Sequence, residues 1–215
     1  MKLPPLCAVL DVEAISRFGW AVEDLARACL DGGARFLQIR AKPLPAGPLL
    51  QLTDRIVRLA APCQALVIVN DRADIARLAG AHGVHVGQDD LSPDAVRRAF
   101  GSSVAIGLST HDVDQIARAL EQPIDYLAVG PVYATRTKET GYDPVGLELV
   151  RAARQAAADR GVPVVAIGGI TLDRAVEVIE SGAASIAVIS DLFTGNDPET
   201  RTRAFVERLE TARHV

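Results

Sequence analysis

Aromatic residues, cysteine and any surplus of positive charge are scarce in this chain. Phe, Trp and Tyr make up 4% of its 215 residues, too few for the stacking platforms that hold single-stranded nucleic acid. Lys and Arg number 23 against 27 Asp and Glu, a formal net charge of −4. That balance offers no basic face to a phosphate backbone, so any anion must be met by locally placed cations. Cys7, Cys29 and Cys63 are odd in number and lack CxxC spacing, which argues against a disulfide framework or zinc site and for reduced core residues. Near the N-terminus one Lys precedes a short apolar stretch broken by Pro4 and Pro5, neither a signal peptide nor a membrane span. A soluble cytoplasmic protein is expected, with no nucleic-acid or membrane partner.

What is present is apolar and periodic. Hydrophobic residues make up 49% of the chain, and no Ser-rich, Pro-rich or like-charged tract divides it, so residues 1–215 are expected to form one domain. Strand-like runs recur at 6–10, 36–40, 66–69, 84–86, 104–108, 126–129, 164–167 and 185–189. Amphipathic segments at 21–30, 49–59, 93–100, 113–120, 147–158, 172–179 and 198–212 alternate with them, together with one between residues 69 and 84. Ser92 before Pro93, Thr171 before Leu172 and Asp197 before Pro198 are helix-start signals. This alternation predicts an α/β fold, a single-domain (β/α)8 TIM barrel. A doubly wound open sheet is the weaker alternative, because no GxGxxG turn follows the first run and the count reaches eight.

The most informative stretch is LVIVNDRADIARLAGAHGVHVGQDD, residues 66–90. Two strands joined by a crossover helix can lie side by side about 4.8 Å apart. Asn70 and Asp71 then end one strand, and Asp89 and Asp90 follow the same end of the next. Neighbouring carboxylates repel, and a shared proton, a cation or a metal ion relieves the repulsion. Oxygen ligands in small number suit Mg²⁺; alternatively, the acids cap the helices that follow them.

Other strand ends carry further chemistry. The period of two places Gln38, Arg40 and Lys42 toward the barrel interior and Leu37, Ile39 and Ala41 toward the helices. Arg40 there requires an anion or a core carboxylate. Ser109 and Thr110 end the fifth run, with capping the expected role of Thr110; His82, His85 and His111 read as structural or exposed. The loop from Gly130 to Gly146 is rich in Thr, Lys and Gly, and Thr135, Thr137 and Lys138 are its candidate donors. Gly168 and Gly169 after the seventh run, with Ile189 and Ser190 after the eighth, occupy the usual phosphate position of such barrels.

The motifs QIRAK at 38–42, VNDR at 69–72, HVGQDD at 85–90, GLS at 107–109, GPVYATRTK at 130–138, AIGGI at 166–170 and VIS at 188–190 together resemble the thiamine phosphate synthase family over nearly the whole chain. The resemblance implies a transferase that joins hydroxymethylpyrimidine diphosphate to a thiazole phosphate, or its carboxylated form, and releases pyrophosphate. It implies Mg²⁺ on Asp71 and Asp90, and the pyrimidine diphosphate on Gln38, Arg40, Lys42, Asn70, Ser109 and Lys138. Arg40, Lys42, Ser109 and Lys138 would serve catalysis, and Thr135, Thr137, Gly168, Gly169, Ile189 and Ser190 would receive the thiazole phosphate. Asp191 departs from the family pattern, since a carboxylate there weakens phosphate binding unless it turns away. The rival readings are a related thiazole tautomerase, which uses a histidine in the strand-six loop that this chain lacks, and a non-catalytic precursor-binding paralogue. Barrels of this type often pair, so a homodimer is one expected assembly, although no apolar stripe marks its interface.

Overall fold

In a computed structural model, residues 2–135 and 141–212 are described. Eight parallel strands close in chain order: β1 (Leu6–Asp11), β2 (Phe36–Arg40), β3 (Leu66–Asn70), β4 (Gly83–Val86), β5 (Ala105–Thr110), β6 (Tyr126–Val129), β7 (Val164–Ile167) and β8 (Ser185–Val188). β8 returns to β1, with Leu6 opposite Ile186 and Ala8 opposite Val188. The outer ring consists of α1 (Val12–Arg17), α2 (Val22–Asp31), α3 (Ala46–Ala60), α4 (Ala73–Leu78), α5 (Pro93–Phe100), α6 (Val113–Leu120), α7 (Gly146–Ala157), α8 (Ala175–Glu180) and α9 (Pro198–Ala212).

Strand periodicity divides the core in two. In β2, Leu37 and Ile39 pack outward against the helices, whereas Phe36 packs inward with Cys7, Val9, Ile68, Tyr126, Ala128, Val165 and Ala187. Each fully buried Leu, Ile or Val contributes about 1.5–3 kcal/mol, so the larger outer layer supplies most of the apolar stabilisation. Burial pushes the thiol of Cys7 up and that of Cys29 to about 12, which keeps both protonated.

Helix starts follow local chemistry. The Ser92 hydroxyl accepts from the Ala95 amide at 3.2 Å ahead of Pro93 in α5, and Asp197 accepts from Thr200 N at 3.1 Å at the head of α9. Asp112, rather than Thr110, caps α6 by accepting from Gln115 N at 2.7 Å; Thr110 is buried and donates to Ala128 O at 2.9 Å. α3 begins three residues before the expected segment, because Pro48 falls in its first turn, where proline is tolerated. α1 is an addition to the expected elements, capped by Asp11 accepting from Ala14 N at 2.9 Å.

The barrel interior has one very tight fit. A Cβ added at Gly107 in β5 would lie 2.0 Å from Cζ of Tyr126, whose ring is buried among rigid strands. Gly107→Ala is expected to destabilise the fold by about 2–3 kcal/mol, or more if Tyr126 cannot shift. Gly47, in the first turn of α3 with nothing within 4 Å of its added Cβ, should tolerate alanine. Denaturant midpoints of the two variants at unchanged m-value check this contrast.

Candidate functional site

At the carboxyl ends of the strands the barrel opens into a cavity of about 420 Å³. Its inner wall includes Phe36, His85, Tyr126 and Val165, and its rim is built from the strand exits. Gln38, Arg40, Asn70, Ser109, Thr135, Gly168, Gly169, Ile189 and Ser190 all line it. Lys42 and Asp71 line an adjoining recess that shares Asn70 with the cavity. Thr137 and Lys138 lie outside the described residues.

The β3–β4 pairing determines the acidic corner. Asn70 lies opposite His85, and the Asp71 amide donates to His85 O at 2.7 Å. Asp71 has φ 64°, a left-handed conformation that costs most non-glycine residues about 1–2 kcal/mol and that Asp adopts more readily than most. It does not cap α4, whose start at Arg72 has no side-chain cap. Its carboxyl instead makes hydrogen-bonding contact with that of Asp90, while Lys42 Nζ lies 3.5 Å from Asp71 Oδ2. Loss of water around Asp71 raises its pKa, and the hydrogen bond and charge of Asp90 raise it further against the opposing pull of Lys42. Asp90 also accepts from Gly87 N at 2.8 Å, which fixes the turn that presents it. Among the described residues no group of three or more His, Cys, Asp or Glu could hold a metal. The donor set is two adjacent carboxylates, a set that suits a hard cation completing its shell with water and phosphate oxygens.

Arg40 has the core carboxylate partner that its position allowed. Asp11 lies directly opposite it across β1 and β2, and Arg40 Nη1 donates to Asp11 Oδ2 at 2.5 Å. Asp11 is 2% exposed and divides its oxygens between this pair and the α1 cap. Sequence reading missed it, although Cys7, Val9 and Asp11 share the inward face of β1. Arg40 Nε remains a buried donor without a partner, and such a donor in a cavity wall is suited to an incoming anion.

A polar chain crosses the barrel interior. Beside Gln38, which lowers the Tyr126 pKa against the larger effect of burial, the Tyr126 hydroxyl lies 2.9 Å from His85 Nδ1, and His85 Nε2 lies 2.8 Å from Ser109 Oγ. Burial drives the Tyr126 pKa well above its ordinary value, so the phenol keeps its proton and can donate. His85 therefore faces the cavity, a side that sequence alone left open. His111 precedes α6, lines the cavity, places Nδ1 2.5 Å from Gly130 O and stacks on Tyr142 with ring centroids 3.7 Å apart. Expected to be exposed in the first turn of the helix, it is instead half-buried just before that helix.

Opposite this corner, β7 exits through Gly168 (φ 105°) and Gly169 (φ 63°). A Cβ at either would meet the β6 exit, 2.5 Å from Pro131 Cβ or 2.6 Å from Ala134 O, so glycine is required both for conformation and for space. Asp191 is turned into structure. Its Oδ2 accepts from Leu172 N at 3.1 Å and from Arg201 Nε and Nη2 at 3.0 and 2.7 Å, which neutralises the carboxylate beside Ser190.

The family model described as thiamine monophosphate synthase matches residues 6–192. A thiamine-phosphate synthase of Koribacter versatilis is 40% identical over 98% of this chain and 98% of its own. One of Thermus thermophilus is 43% identical over 90% and 93%. The solved thiamine phosphate pyrophosphorylase of Pyrococcus furiosus superposes with a TM-score of 0.87 at 29% identity, covering 97% of this chain and 96% of that one. With the closed barrel and the site at its strand exits, these matches establish that the chain belongs to the thiamine monophosphate synthase family.

Proposed function

We propose that this chain condenses an aminopyrimidine-methyl diphosphate with a thiazole phosphate to give thiamine phosphate and pyrophosphate. The observation that carries the reading is the layout of the site. A corner of Arg40, Lys42, Asn70, Asp71 and Asp90 meets, through Asn70, a cavity whose far end is the glycine backbone at 168–169. One end suits a diphosphate and the other a phosphate monoester, with an apolar space between them for two small rings.

The chemistry needs charge stabilisation more than proton transfer. The bond between the methylene carbon and the diphosphate oxygen breaks, and pyrophosphate leaves with the electron pair. The aminopyrimidine stabilises the resulting methylene cation, and the thiazole nitrogen donates its lone pair to form the new C–N bond. No proton moves in either event, so the site works without a nucleophile or a general base. Arg40, held by Asp11 with a buried Nε to spare, and Lys42 offset charge on the leaving group. Ser109, in contact with His85, offers a hydroxyl to the diphosphate. Lys138 is proposed as a third cation, and Gly168, Gly169, Ile189, Ser190, Thr135 and Thr137 as the cradle of the thiazole phosphate. Asp71 and Asp90 would hold Mg²⁺, which supplies Lewis-acid neutralisation of the diphosphate when bound. Asp71 and Asp90 together with Arg40 and Lys42 favour synthesis over tautomerisation.

Turnover supplies the first test. Wild-type protein with both substrates is expected to release pyrophosphate in a Mg²⁺-dependent manner, and Lys42→Ala to lower kcat by about 10²-fold, the loss typical of removing one transition-state donor. If coupled-enzyme detection finds no pyrophosphate with either thiazole form, the synthase reading is wrong. Stability supplies the second. A carboxyl whose folded pKa is raised binds more protons in the fold than in the unfolded chain. Its ionisation therefore costs stability as pH climbs from the ordinary carboxylate value to the raised one, and the cost persists above that window. Asp71→Asn should thus melt above wild type at pH 7, with the gap closing below about pH 4. Mg²⁺ should raise the Tm of wild type and leave that of the variant nearly unchanged. Calorimetric melts across pH, with and without the metal, check both expectations.

A further inference from the structure

Arg174 was not among the residues expected from sequence to face a ligand, yet it lines the main cavity beside Gly168 and Gly169. It ends a short 3-10 turn, Leu172–Arg174, that follows the β7 exit. Two contacts hold its planar head: Nη1 donates to Gly169 O at 2.9 Å, and Cζ sits 4.4 Å from the centre of the Tyr133 ring. A cation held over a ring face in this way is restrained in position, and its Nε and Nη2 donors are not used by the Gly169 contact.

The neighbouring acids are engaged elsewhere. Asp191 is paired with Arg201, Asp173 lies 3.4 Å from Arg208, and Glu177 accepts from the Tyr133 hydroxyl at 2.5 Å. Among the described residues no carboxylate lies within ion-pair distance of Arg174, and it is the one Lys or Arg that the exits of β6, β7 and β8 contribute to the cavity wall. Arg40, the other arginine of that wall among the described residues, enters from β2 and is paired with Asp11. A preorganised cation with no acid partner among the described residues, next to a backbone cradle shaped by two glycines, is suited to a dianionic group.

We infer that Arg174 reads the phosphate of the second substrate, adding a formal charge to a cradle otherwise made of backbone amides and hydroxyls. The inference rests on the thiazole phosphate reading above. It predicts selectivity for the phosphorylated thiazole over the corresponding alcohol, because only the former carries the anion.

The test is a ligand-observed NMR titration, which reads weak binding, without the pyrimidine substrate. Thiazole phosphate and the unphosphorylated thiazole alcohol are each titrated into wild type, Arg174→Gln and Arg174→Lys. Arg174→Gln should weaken the phosphate ester about tenfold, the scale of one charge-assisted hydrogen bond, and leave the alcohol unchanged, with Arg174→Lys restoring part of the loss. Unchanged affinity for the ester, an equal loss for both ligands as expected of a merely structural strap, or no ester binding by wild type would each overturn the inference. Pyrophosphate release is read separately. Its absence alongside Arg174-dependent ester binding would remove the synthase reading and leave this one in place.

Discussion

One backbone hydrogen bond, from the Asp71 amide to the carbonyl of His85, joins the exit of β3 to the end of β4, and the acidic corner depends on it. It holds Asp71 in a left-handed conformation at the strand exit and brings its carboxyl to that of Asp90. The chain accepts two costs there, a conformational one and an electrostatic one, and neither is offset by helix capping. Strain and repulsion concentrated where a ligand is expected are characteristic of preorganised sites.

The rest of the site compensates for this concentration of negative charge. Lys42 approaches Asp71, Arg40 is steadied by Asp11, and the carboxylate of Asp191 at the opposite end is neutralised by Arg201. Between these poles the barrel interior is lined by Phe36, Val165, Gln38 and the Tyr126–His85–Ser109 chain. The cavity therefore has charge at its ends and an apolar, hydrogen-bonded middle. That order matches the polarity of two ring systems each carrying phosphate at its outer edge.

How much of this could be read from sequence depended on whether the signal was local. The eight strands were legible because buried parallel strands are continuous β-branched runs, and the inward facing of Gln38 and Arg40 followed from a period of two. The glycines at 168–169 were legible as a tight backbone exit, because a glycine pair after a strand marks conformations and close approaches that other residues resist. Asp11 was not, because its significance comes from lying opposite Arg40, a matter of register between strands about thirty residues apart. The same holds for His85, whose partners Tyr126 and Ser109 belong to two other strands, and for Arg174, whose orientation is set by Tyr133. The role of Thr110 was misjudged because its hydroxyl is committed to Ala128 O within the barrel, while Asp112, two residues on and outside the strand, takes the cap.

Arg201 belongs to α9, downstream of all eight strands, yet it secures Asp191 and through it the amide of Leu172 at the β7 exit. During synthesis on the ribosome, these groups cannot reach their final arrangement until that helix has emerged and docked. Barrel closure imposes the same order, since β1 waits for β8. The nascent chain is thus held back from a finished β7–β8 exit until α9 has been translated.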